Sequence, residues 1–245
     1  MYYFASDIHL GAGDPETARR VERQFVAWLD GIEGDAKALF LVGDIFDFWF
    51  EYSRVVPKGF VRVLGKLARM HDRGIRIVMF TGNHDMWVTD YLTKECGIEI
   101  FRKPQLLEIA GQRIFVAHGD NMNIKGRPML RLMNALFRSQ VAKFLFSWLV
   151  HPDIAVRFGH WWSGHSRKAH GEERDKKFLA PLVEYADGYA AKHENVDCFV
   201  FGHMHIMADM TSSRRILFMG DWATAPNCLR LDDDGTITQI TPDLS

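Results

Sequence analysis

The sequence predicts an α/β fold built around parallel strands and closed by a β-hairpin. Three observations lead to this prediction: short apolar runs that stop at a glycine or a polar residue, helical periodicity between those runs, and a closing stretch in which apolar and polar residues alternate. Apolar runs separated by amphipathic helices are typical of βαβ units, in which neighbouring strands are parallel. At 245 residues the chain is long enough for one large core, so we expect residues 1–245 to form a single domain.

Five apolar runs are the predicted buried strands. Each is short, is rich in aromatic, aliphatic or β-branched residues, and stops where the chain turns polar or reaches a glycine. They are residues 2–4, 38–42, 75–80, 114–117 and 198–201. In open α/β sheets the binding site lies outside the carboxyl ends of the strands. The residues that follow each run are therefore candidates for the functional site.

Two helices and a hairpin complete the predicted framework. Residues 228–231 and 237–240 alternate with period two around an Asp-Gly turn, which predicts a β-hairpin. Residues 16–31 and 59–72 instead show helical periodicity and lie between the first three strands. Each of these helices has one apolar face, made of Val21, Phe25, Trp28 and Leu29 in the first and of Phe60, Val63, Leu64 and Leu67 in the second.

The composition narrows the class of protein. Hydrophobic residues make up 47% and charged residues 25% of the chain, as in ordinary soluble proteins. A formal net charge of −1 argues against a dedicated nucleic-acid binder, which is usually basic. Cys96, Cys198 and Cys228 are scattered, so we expect no disulfide framework and a reducing, cytosolic compartment. Because the first strand starts at Tyr2 and no apolar run approaches roughly 20 residues, we expect neither a targeting peptide nor a membrane span.

Metal-ligand side chains follow all five predicted strands. A lone buried histidine, or a lone aspartate after a strand, is usually structural, as a satisfied core residue or a cap. Five such blocks after five strands instead indicate one shared metal site. The blocks are Asp7-Ile8-His9, Gly43-Asp44, Gly82-Asn83-His84-Asp85, His118-Gly119-Asp120 and Gly202-His203-Met204-His205.

The ligand types favour a pair of borderline divalent cations. Carboxylate, imidazole and amide oxygen without thiolate suit Mn²⁺, Fe²⁺ or Zn²⁺. The candidates are too many for one tetrahedral ion, and two cations roughly 3.5–4 Å apart need a shared anionic ligand. Asp44, at the end of a central strand, is the candidate bridge. The other ligands divide between two ions, with Asp7, His9 and one histidine of the last block at one, and Asn83, His118 and the other histidine at the second.

These blocks resemble the motif series of the calcineurin-like metallophosphoesterase superfamily. That series is D-x-H, G-D-x-x-[DE], G-N-H-[DE], a histidine after a strand, and G-H-x-H, and it occurs here in the same order between Asp7 and His205. The resemblance implies a four-layer sandwich, in which two mixed β-sheets are flanked by helices. It also implies that His203 binds the same ion as Asn83, and that His205 binds the same ion as Asp7.

The resemblance further implies roles for residues beside the ligands. His84 would stabilise the phosphoryl oxygen or protonate the leaving oxygen, and Asp85 would orient the His84 ring. Asp47 and Asp120 would orient ligands rather than bind metal, although a purely structural role fits them equally well. The implied reaction is hydrolysis of a phosphoester or phosphoanhydride by a metal-bound hydroxide, with two divalent ions as cofactors and Mn²⁺ as the expected metal.

An apolar insertion separates the fourth and fifth blocks. Residues 129–162 are rich in aliphatic and aromatic side chains and predict two or three helices that are apolar over more than one face. We expect residues 125–170 to form a helical cap over the metal site. Such a cap would line a groove for acyl chains and place basic residues, among them Arg131 and Lys143, at a lipid headgroup surface. The alternative is that these helices are ordinary core.

Within the superfamily the chain looks most like the UDP-2,3-diacylglucosamine pyrophosphatase family of lipid A biosynthesis. The resemblance rests on the chain length, residues 43–49, the apolar insertion and residues 220–222. It implies an amphipathic nucleotide-lipid substrate, cleaved at the α-phosphorus to UMP and 2,3-diacylglucosamine 1-phosphate. It also implies a peripheral position at the cytoplasmic face of the inner membrane. The corresponding candidates for polar substrate contacts are Ser166, Arg167, Lys176 and Lys177.

Two departures keep other functions open. The chain has His84 where the best-known members of that family have arginine, and residues 121–127 lack their aspartate-rich stretch. A related phosphomonoesterase or phosphodiesterase for nucleotides or phosphoproteins would share the metals without needing the apolar insertion. A partner-binding scaffold, or a lipid-diphosphate binder without turnover, would be expected to have lost a ligand, and none is missing. The oligomeric state stays open.

Overall fold

Two β-sheets face each other in the computed structural model of the chain, and helices cover their outer sides. The structure describes residues 1–122, 132, 135, 137, 139–170 and 176–242; for residues 140, 165–170 and 176–177 it describes the backbone alone. The described helices are α1 (Pro15–Ile32), α2 (Val61–Asp72), α3 (Tyr91–Cys96), α4 (Gln140–Leu149), α5 (Pro152–His170) and α6 (Ala180–Ala190), with a 3₁₀ turn at Lys176–Leu179. The strands are β1 (Tyr2–Ala5), β2 (Ala38–Val42), β3 (Arg76–Phe80), β4 (Glu99–Phe101), β5 (Gln105–Ile109), β6 (Gln112–Ala117), β7 (Cys198–Phe201), β8 (Ala208–Thr211), β9 (Arg215–Phe218), β10 (Cys228–Leu231) and β11 (Ile237–Ile240).

Both sheets are mixed. The first has the strand order β11-β10-β1-β2-β3-β4, and the second has the order β5-β6-β7-β9-β8. In the first sheet β1 to β4 are parallel, while β10 pairs antiparallel with β1 and with β11. In the second sheet β6, β7 and β9 are parallel, and the two edge strands pair antiparallel. The parallel strands of each sheet deliver their carboxyl ends to the same side.

The alternation of side chains along β2 explains the layers. Leu39 and Leu41 pack into the core beneath α1 and α2. Phe40 and Val42 point the other way and join the core between the two sheets. A third core lies between the second sheet and α6, where Phe199 belongs to the packed cluster. The order is therefore helices, sheet, sheet, helix, and the predicted four-layer α/β sandwich with two mixed sheets is confirmed.

Local chemistry sets the start of α1. Asp14 caps the helix, because its Oδ1 accepts hydrogen bonds from the backbone N–H groups of Glu16 and Thr17 at 2.9 and 3.0 Å. Pro15 occupies the first turn, where its missing N–H is not needed. The buried side chains are Val21, Phe25, Trp28, Leu29 and Ile32, so the apolar face read from the sequence is the face that packs on the first sheet.

The predicted strands and helices are present, with small shifts at their ends. Strands β2 and β7 and both strands of the hairpin have the predicted bounds, whereas β6 starts two residues before the apolar run. Strands β4, β5, β8 and β9 were not predicted. β4 has three residues and β5 alternates with only partial burial, because both lie at sheet edges where the apolar signal is weak. β9 is the exception, since Ile216–Phe218 is a fully buried apolar run.

Helices α4 and α5 lie inside the predicted insertion of residues 125–170. Part of that prediction, including residues 125–131 and the basic residue Arg131, lies outside the described residues. Helix α4 contacts the rest of the chain through Phe146, whose ring centroid lies 5.2 Å from that of Phe50. Just after the helix, the Val150 carbonyl accepts a hydrogen bond from the Tyr52 hydroxyl at 3.0 Å. Among the described residues, no helix combines the length and the apolarity needed to cross a bilayer.

Candidate metal centre

The loops that follow five strands meet where the two sheets come together. Within the first sheet, the Asp7 backbone N–H donates to the Gly43 carbonyl at 3.1 Å. Within the second, the Gly202 N–H donates to the His118 carbonyl at 3.0 Å. The Asp7 carboxylate joins the sheets, because it accepts from the His203 N–H at 3.0 Å. Side chains far apart in sequence are thereby brought to one place.

The backbone of these loops is strained. Among the described residues, seven non-glycine residues have positive φ angles, and five of them are predicted ligands: Asp7 at 55°, His9 at 49°, Asp44 at 52°, His203 at 69° and His205 at 55°. A non-glycine residue in this left-handed region is uncommon, and such residues cluster at functional sites where the surrounding structure holds them. The concentration of strain in predicted ligands marks this region as the functional site.

Three side chains form the first ligand group. The Nε2 atoms of His9 and His205 lie 3.1 Å apart. Oδ1 of Asp7 lies 3.2 Å from Nε2 of His205 and 3.9 Å from Nε2 of His9. All three ligand atoms fall within 4.8 Å of one another, close enough to bind one cation. This is the grouping of His205 with Asp7 that the family resemblance implies.

A second group lies beside the first. Oδ2 of Asp44 is 3.2 Å from Nε2 of His118, and His203 joins them within ligand distance. Nδ1 of His118 lies 2.9 Å from the Val42 carbonyl and can donate to it, which directs Nε2 towards Asp44. The side-chain oxygen of Asn83 lies 3.4 Å from the same Nε2 atom. Asp44 also forms a third group with His9 and His84, and because His9 belongs to the first group, Asp44 lies next to the ligands of both.

Burial and charge suit this donor set to divalent cations. Burial, together with the neighbouring rings of His84 and His205, lowers the pKa of His9 to about 3. The His9 imidazole is therefore neutral and has a lone pair to donate. Burial by itself would lower the pKa of His118 and raise that of Asp44. Their mutual attraction instead raises the pKa of His118 well above its usual value, and His118 with His84 holds that of Asp44 well below. A cation would displace the His118 proton, so we infer that the residues fit two cations.

The structure corrects the predicted role of Asp85. Its carboxylate accepts hydrogen bonds from the backbone N–H groups of Gly82 at 2.7 Å and Ile45 at 2.8 Å, so it ties two loops together. The His84 ring is oriented by a different group, because its Nδ1 lies 3.0 Å from the backbone carbonyl of Asp47. Burial and the nearby Asp44 raise the pKa of Asp85 to about 7. The interpretation of Asp85 as the group that orients His84 is therefore wrong.

Asp47 and Asp120, the predicted orienting residues, both lie beside ligands. Asp120 accepts a hydrogen bond from the Asn121 amide and contributes to the raised pKa of His118. Asp47 is 1% exposed, and its Oδ1 lies 3.9 Å from Nδ1 of His9. Two residues of α5, His160 and Ser163, also hydrogen-bond to the Asp47 carboxylate. The sequence did not indicate either of them as a site residue. No local sequence pattern distinguished them, because their partner Asp47 lies more than 100 residues earlier in the chain.

The glycines that precede the ligands are needed for close approach. A Cβ atom added at Gly82 would overlap both the carboxylate and the backbone nitrogen of Asp44. We expect Gly82→Ala to displace Asp44 and to weaken Mn²⁺ binding by roughly 10- to 100-fold, the range for groups that hold metal ligands. A Mn²⁺ titration of the variant measures this. Gly65→Ala is the matched control, because nothing lies within 4 Å of a Cβ there. Unchanged Mn²⁺ affinity in Gly82→Ala would show that Asp44 is not held by this contact.

The predicted substrate contacts are only partly described. Ser166 and Arg167 lie in α5, and Lys176 and Lys177 lie in the 3₁₀ turn before α6. Their side chains fall outside the described part of the structure, so these contacts remain predictions. Helices α4 and α5 expose apolar side chains, and α5 contacts Asp47 beside the ligands through His160. On α4, Trp148 is 75% and Phe144 is 66% exposed, and α5 adds Ile154 and Trp161.

A four-layer sandwich that carries adjacent aspartate and histidine ligand groups, linked through His9 and Asp44, defines the class of metal-dependent phosphoesterases. The model of the calcineurin-like phosphoesterase family matches residues 2–207, and the chain belongs to that family. The family predicted from the sequence is thus confirmed.

Two relatives of similar sequence share the same name. The UDP-2,3-diacylglucosamine hydrolase of Porphyromonas gingivalis is 39% identical over 236 residues, which cover 90% of this chain and 89% of that protein. The UDP-2,3-diacylglucosamine hydrolase of Pseudomonas putida is 26% identical over 247 residues, which cover 96% of each. Among solved structures, a dimetal phosphatase from Danio rerio aligns with a TM-score of 0.43 and 12% identity over 98% of both chains.

Proposed function

We propose that this chain hydrolyses UDP-2,3-diacylglucosamine at the α-phosphorus, giving UMP and 2,3-diacylglucosamine 1-phosphate. Its membership of the phosphoesterase family and the names of its relatives support the reaction class and the substrate. The observation that carries the proposal is the exposed apolar surface of α4 and α5, of which α5 contacts Asp47 beside the ligand groups through His160. A water-soluble phosphoester would have no use for such a surface, whereas an acylated substrate would.

The residues of the site would have two kinds of role, metal binding and contact with the substrate. We propose that Asp7, His9, His205 and Asp44 hold one divalent cation, and that Asp44, Asn83, His118 and His203 hold the other. When bound, such cations offset phosphoryl charge and lower the pKa of water towards neutrality, and we propose Mn²⁺ as the native metal. His84 would act on the substrate itself. With Nδ1 directed at the Asp47 carbonyl, its Nε2 faces the centre, 3.8 Å from Oδ2 of Asp44.

The alternative is hydrolysis of another phosphomonoester or phosphodiester. The observation that favours it is His84, because the best-known members of the UDP-2,3-diacylglucosamine pyrophosphatase family have arginine at this position. Imidazole is a better proton donor than guanidinium, and protonation of a poor leaving group is typical of simple phosphoesters. The two functions share the metals and differ in their need for α4 and α5.

Substrate preference separates these functions. We would measure Mn²⁺-supported release of UMP from UDP-2,3-diacylglucosamine in detergent micelles, beside hydrolysis of bis-p-nitrophenyl phosphate in the same buffer. We expect efficient UMP release and little action on the small ester. The reverse preference would exclude the lipid substrate and leave a phosphoesterase with another substrate.

We further propose that α4 and α5 dock on the cytoplasmic face of the inner membrane and collect the substrate there. Phe144 and Trp148 are four residues apart, so they share one exposed face of α4, as apolar residues do in interfacial helices. Replacing both with serine is expected to weaken binding to phosphatidylglycerol vesicles by roughly 10²- to 10⁴-fold, since each buried aromatic side chain contributes about 1.5–3 kcal/mol. Vesicle co-sedimentation measures the change.

Val61→Ser is the matched control for this prediction. Val61 is 77% exposed at the start of α2, which belongs to the helical layer of the first sheet rather than to the insertion. Its replacement should leave vesicle binding unchanged. Equal binding of the wild-type protein, the control and the doubly substituted protein would contradict membrane docking by α4.

A further inference from the structure

The Asp47 carboxylate connects α5 to the candidate metal centre. On the α5 side, Nδ1 of His160 lies 2.9 Å from Oδ2 of Asp47, and the Ser163 hydroxyl donates to Oδ1. Asp47 is 1% exposed and Ser163 is also buried, whereas the His160 side chain is 41% exposed, so the carboxylate end of both hydrogen bonds is shielded from water. A buried carboxylate depends on its donors, because leaving it unpaired is unfavourable. Helix α5 therefore helps to determine where this carboxylate lies.

On its other side Asp47 faces two histidines of the centre. Its Oδ1 lies 3.9 Å from Nδ1 of His9, and its backbone carbonyl lies 3.0 Å from Nδ1 of His84. Among the described residues, the buried Nδ1 atom of His9 has no hydrogen-bond partner. When His9 binds a cation through Nε2, Nδ1 carries the proton and points towards this carboxylate. Metal-binding histidines typically donate their second N–H to such a group.

The packing of α5 is close enough to transmit its position. A Cβ atom at Gly159 would overlap the Phe48 ring, so the helix backbone lies directly against the residue that follows Asp47. The His160 ring also lies near Gly11 in the loop that carries His9, 3.8 Å from where a Cβ atom on that glycine would be. His160 and Ser163 are one turn apart and share the helix face that meets Asp47. A shift of this helix would therefore move Asp47.

We propose that His160 and Ser163 are positioning residues that fix Asp47, whose carboxylate faces the His9 ring and whose backbone carbonyl contacts the His84 ring. Docking of the insertion helix then sets the geometry of the metal centre, in addition to any contact that the helix makes with substrate. The proposal rests on the proposed function only in assuming that the ligand groups bind divalent cations. The identity of the substrate does not enter it.

Three variants test the proposal with metal binding as the first readout. His160→Ala removes the Nδ1 donor, and we expect it to weaken Mn²⁺ binding by roughly 10- to 100-fold, as when other groups that orient metal ligands are lost. His160→Asn places an amide N–H near the position of Nδ1 and should restore most of the affinity. Ser163→Ala removes the second donor with little change in volume and should act in the same direction as His160→Ala. Mn²⁺ titrations followed by electron paramagnetic resonance measure the affinities.

Turnover and stability complete the experiment. On bis-p-nitrophenyl phosphate we expect kcat to fall in His160→Ala with little change in KM, and to recover in His160→Asn. Arg157→Ala, at an exposed position of the same helix, is the control and should match the wild-type protein in every readout. Thermal unfolding identifies any variant that fails to fold, and Ser163→Ala then serves in place of His160→Ala.

Two outcomes would contradict the positioning role of His160 and Ser163. Wild-type Mn²⁺ affinity and kcat in folded His160→Ala and Ser163→Ala would overturn the positioning role. A loss in His160→Ala that His160→Asn does not recover would also overturn it, because the role requires the donor to Asp47. These measurements use no lipid, so a failure to hydrolyse UDP-2,3-diacylglucosamine would refute the proposed function and leave this test unaffected.

Discussion

Replacing Asp44 with alanine is expected to reduce hydrolysis to the level seen without added metal. Asp44 is the carboxylate that occurs in two ligand groups, one with His118 and His203 and the other with His9 and His84. Two cations roughly 3.5–4 Å apart repel each other, and a shared anion is needed to hold them. The variant should therefore lose both the bridge and the second ion. Mn²⁺-dependent hydrolysis of bis-p-nitrophenyl phosphate, together with the count of bound ions, measures the effect.

Asp72→Ala is the matched control for Asp44→Ala. Asp72 is an exposed carboxylate in the last turn of α2 and lies in none of the ligand groups found among the described residues. Its loss should leave metal content and rate unchanged. Metal-dependent activity retained in Asp44→Ala would contradict a centre bridged by this residue.

Replacing His84 with alanine is expected to lower the rate by about 10²–10⁴-fold, the range for one acid–base group, while both metals stay bound. Its Nδ1 is engaged by the Asp47 carbonyl, so the Nε2 atom is the one that can reach a substrate oxygen. His84→Arg should recover part of the rate on a charged phosphoryl substrate, because a guanidinium also stabilises phosphoryl oxygens. Steady-state kinetics with parallel metal analysis measures both variants.

Metal content decides between two roles for His84. Its ring lies within ligand distance of His9 and Asp44, so the geometry also allows it to bind a cation. Loss of metal from His84→Ala would therefore show that it is a ligand rather than an acid. His151→Ala, at an exposed histidine between α4 and α5, is the control and should keep full activity.

The sequence was most informative where residue type and position both pointed to chemistry. Histidine or aspartate within three residues of the end of an apolar run was enough to place Asp7, Asp44 and His118 at strand ends. The pairing of His205 with Asp7, in contrast, came from the family resemblance. Edge strands such as β4 were missed because short, half-buried segments carry little apolar pattern.

Contacts between distant segments could not be predicted. His160 and Asp47 are 113 residues apart, and no local pattern in α5 indicates a buried carboxylate partner. The role of Asp85 was misassigned for a similar reason. Its partners are backbone N–H groups of two loops, which meet where Asp44 has a positive φ and Gly82 packs tightly against Asp44.

The number of metal ions needed for turnover tests the central claim most directly. Metal-free protein would be titrated with Mn²⁺, with bound ions counted and UMP release from UDP-2,3-diacylglucosamine measured at each point. We predict that activity rises with the second bound ion and reaches its plateau at two ions per chain. Full activity with a single ion per chain would contradict a shared-aspartate centre.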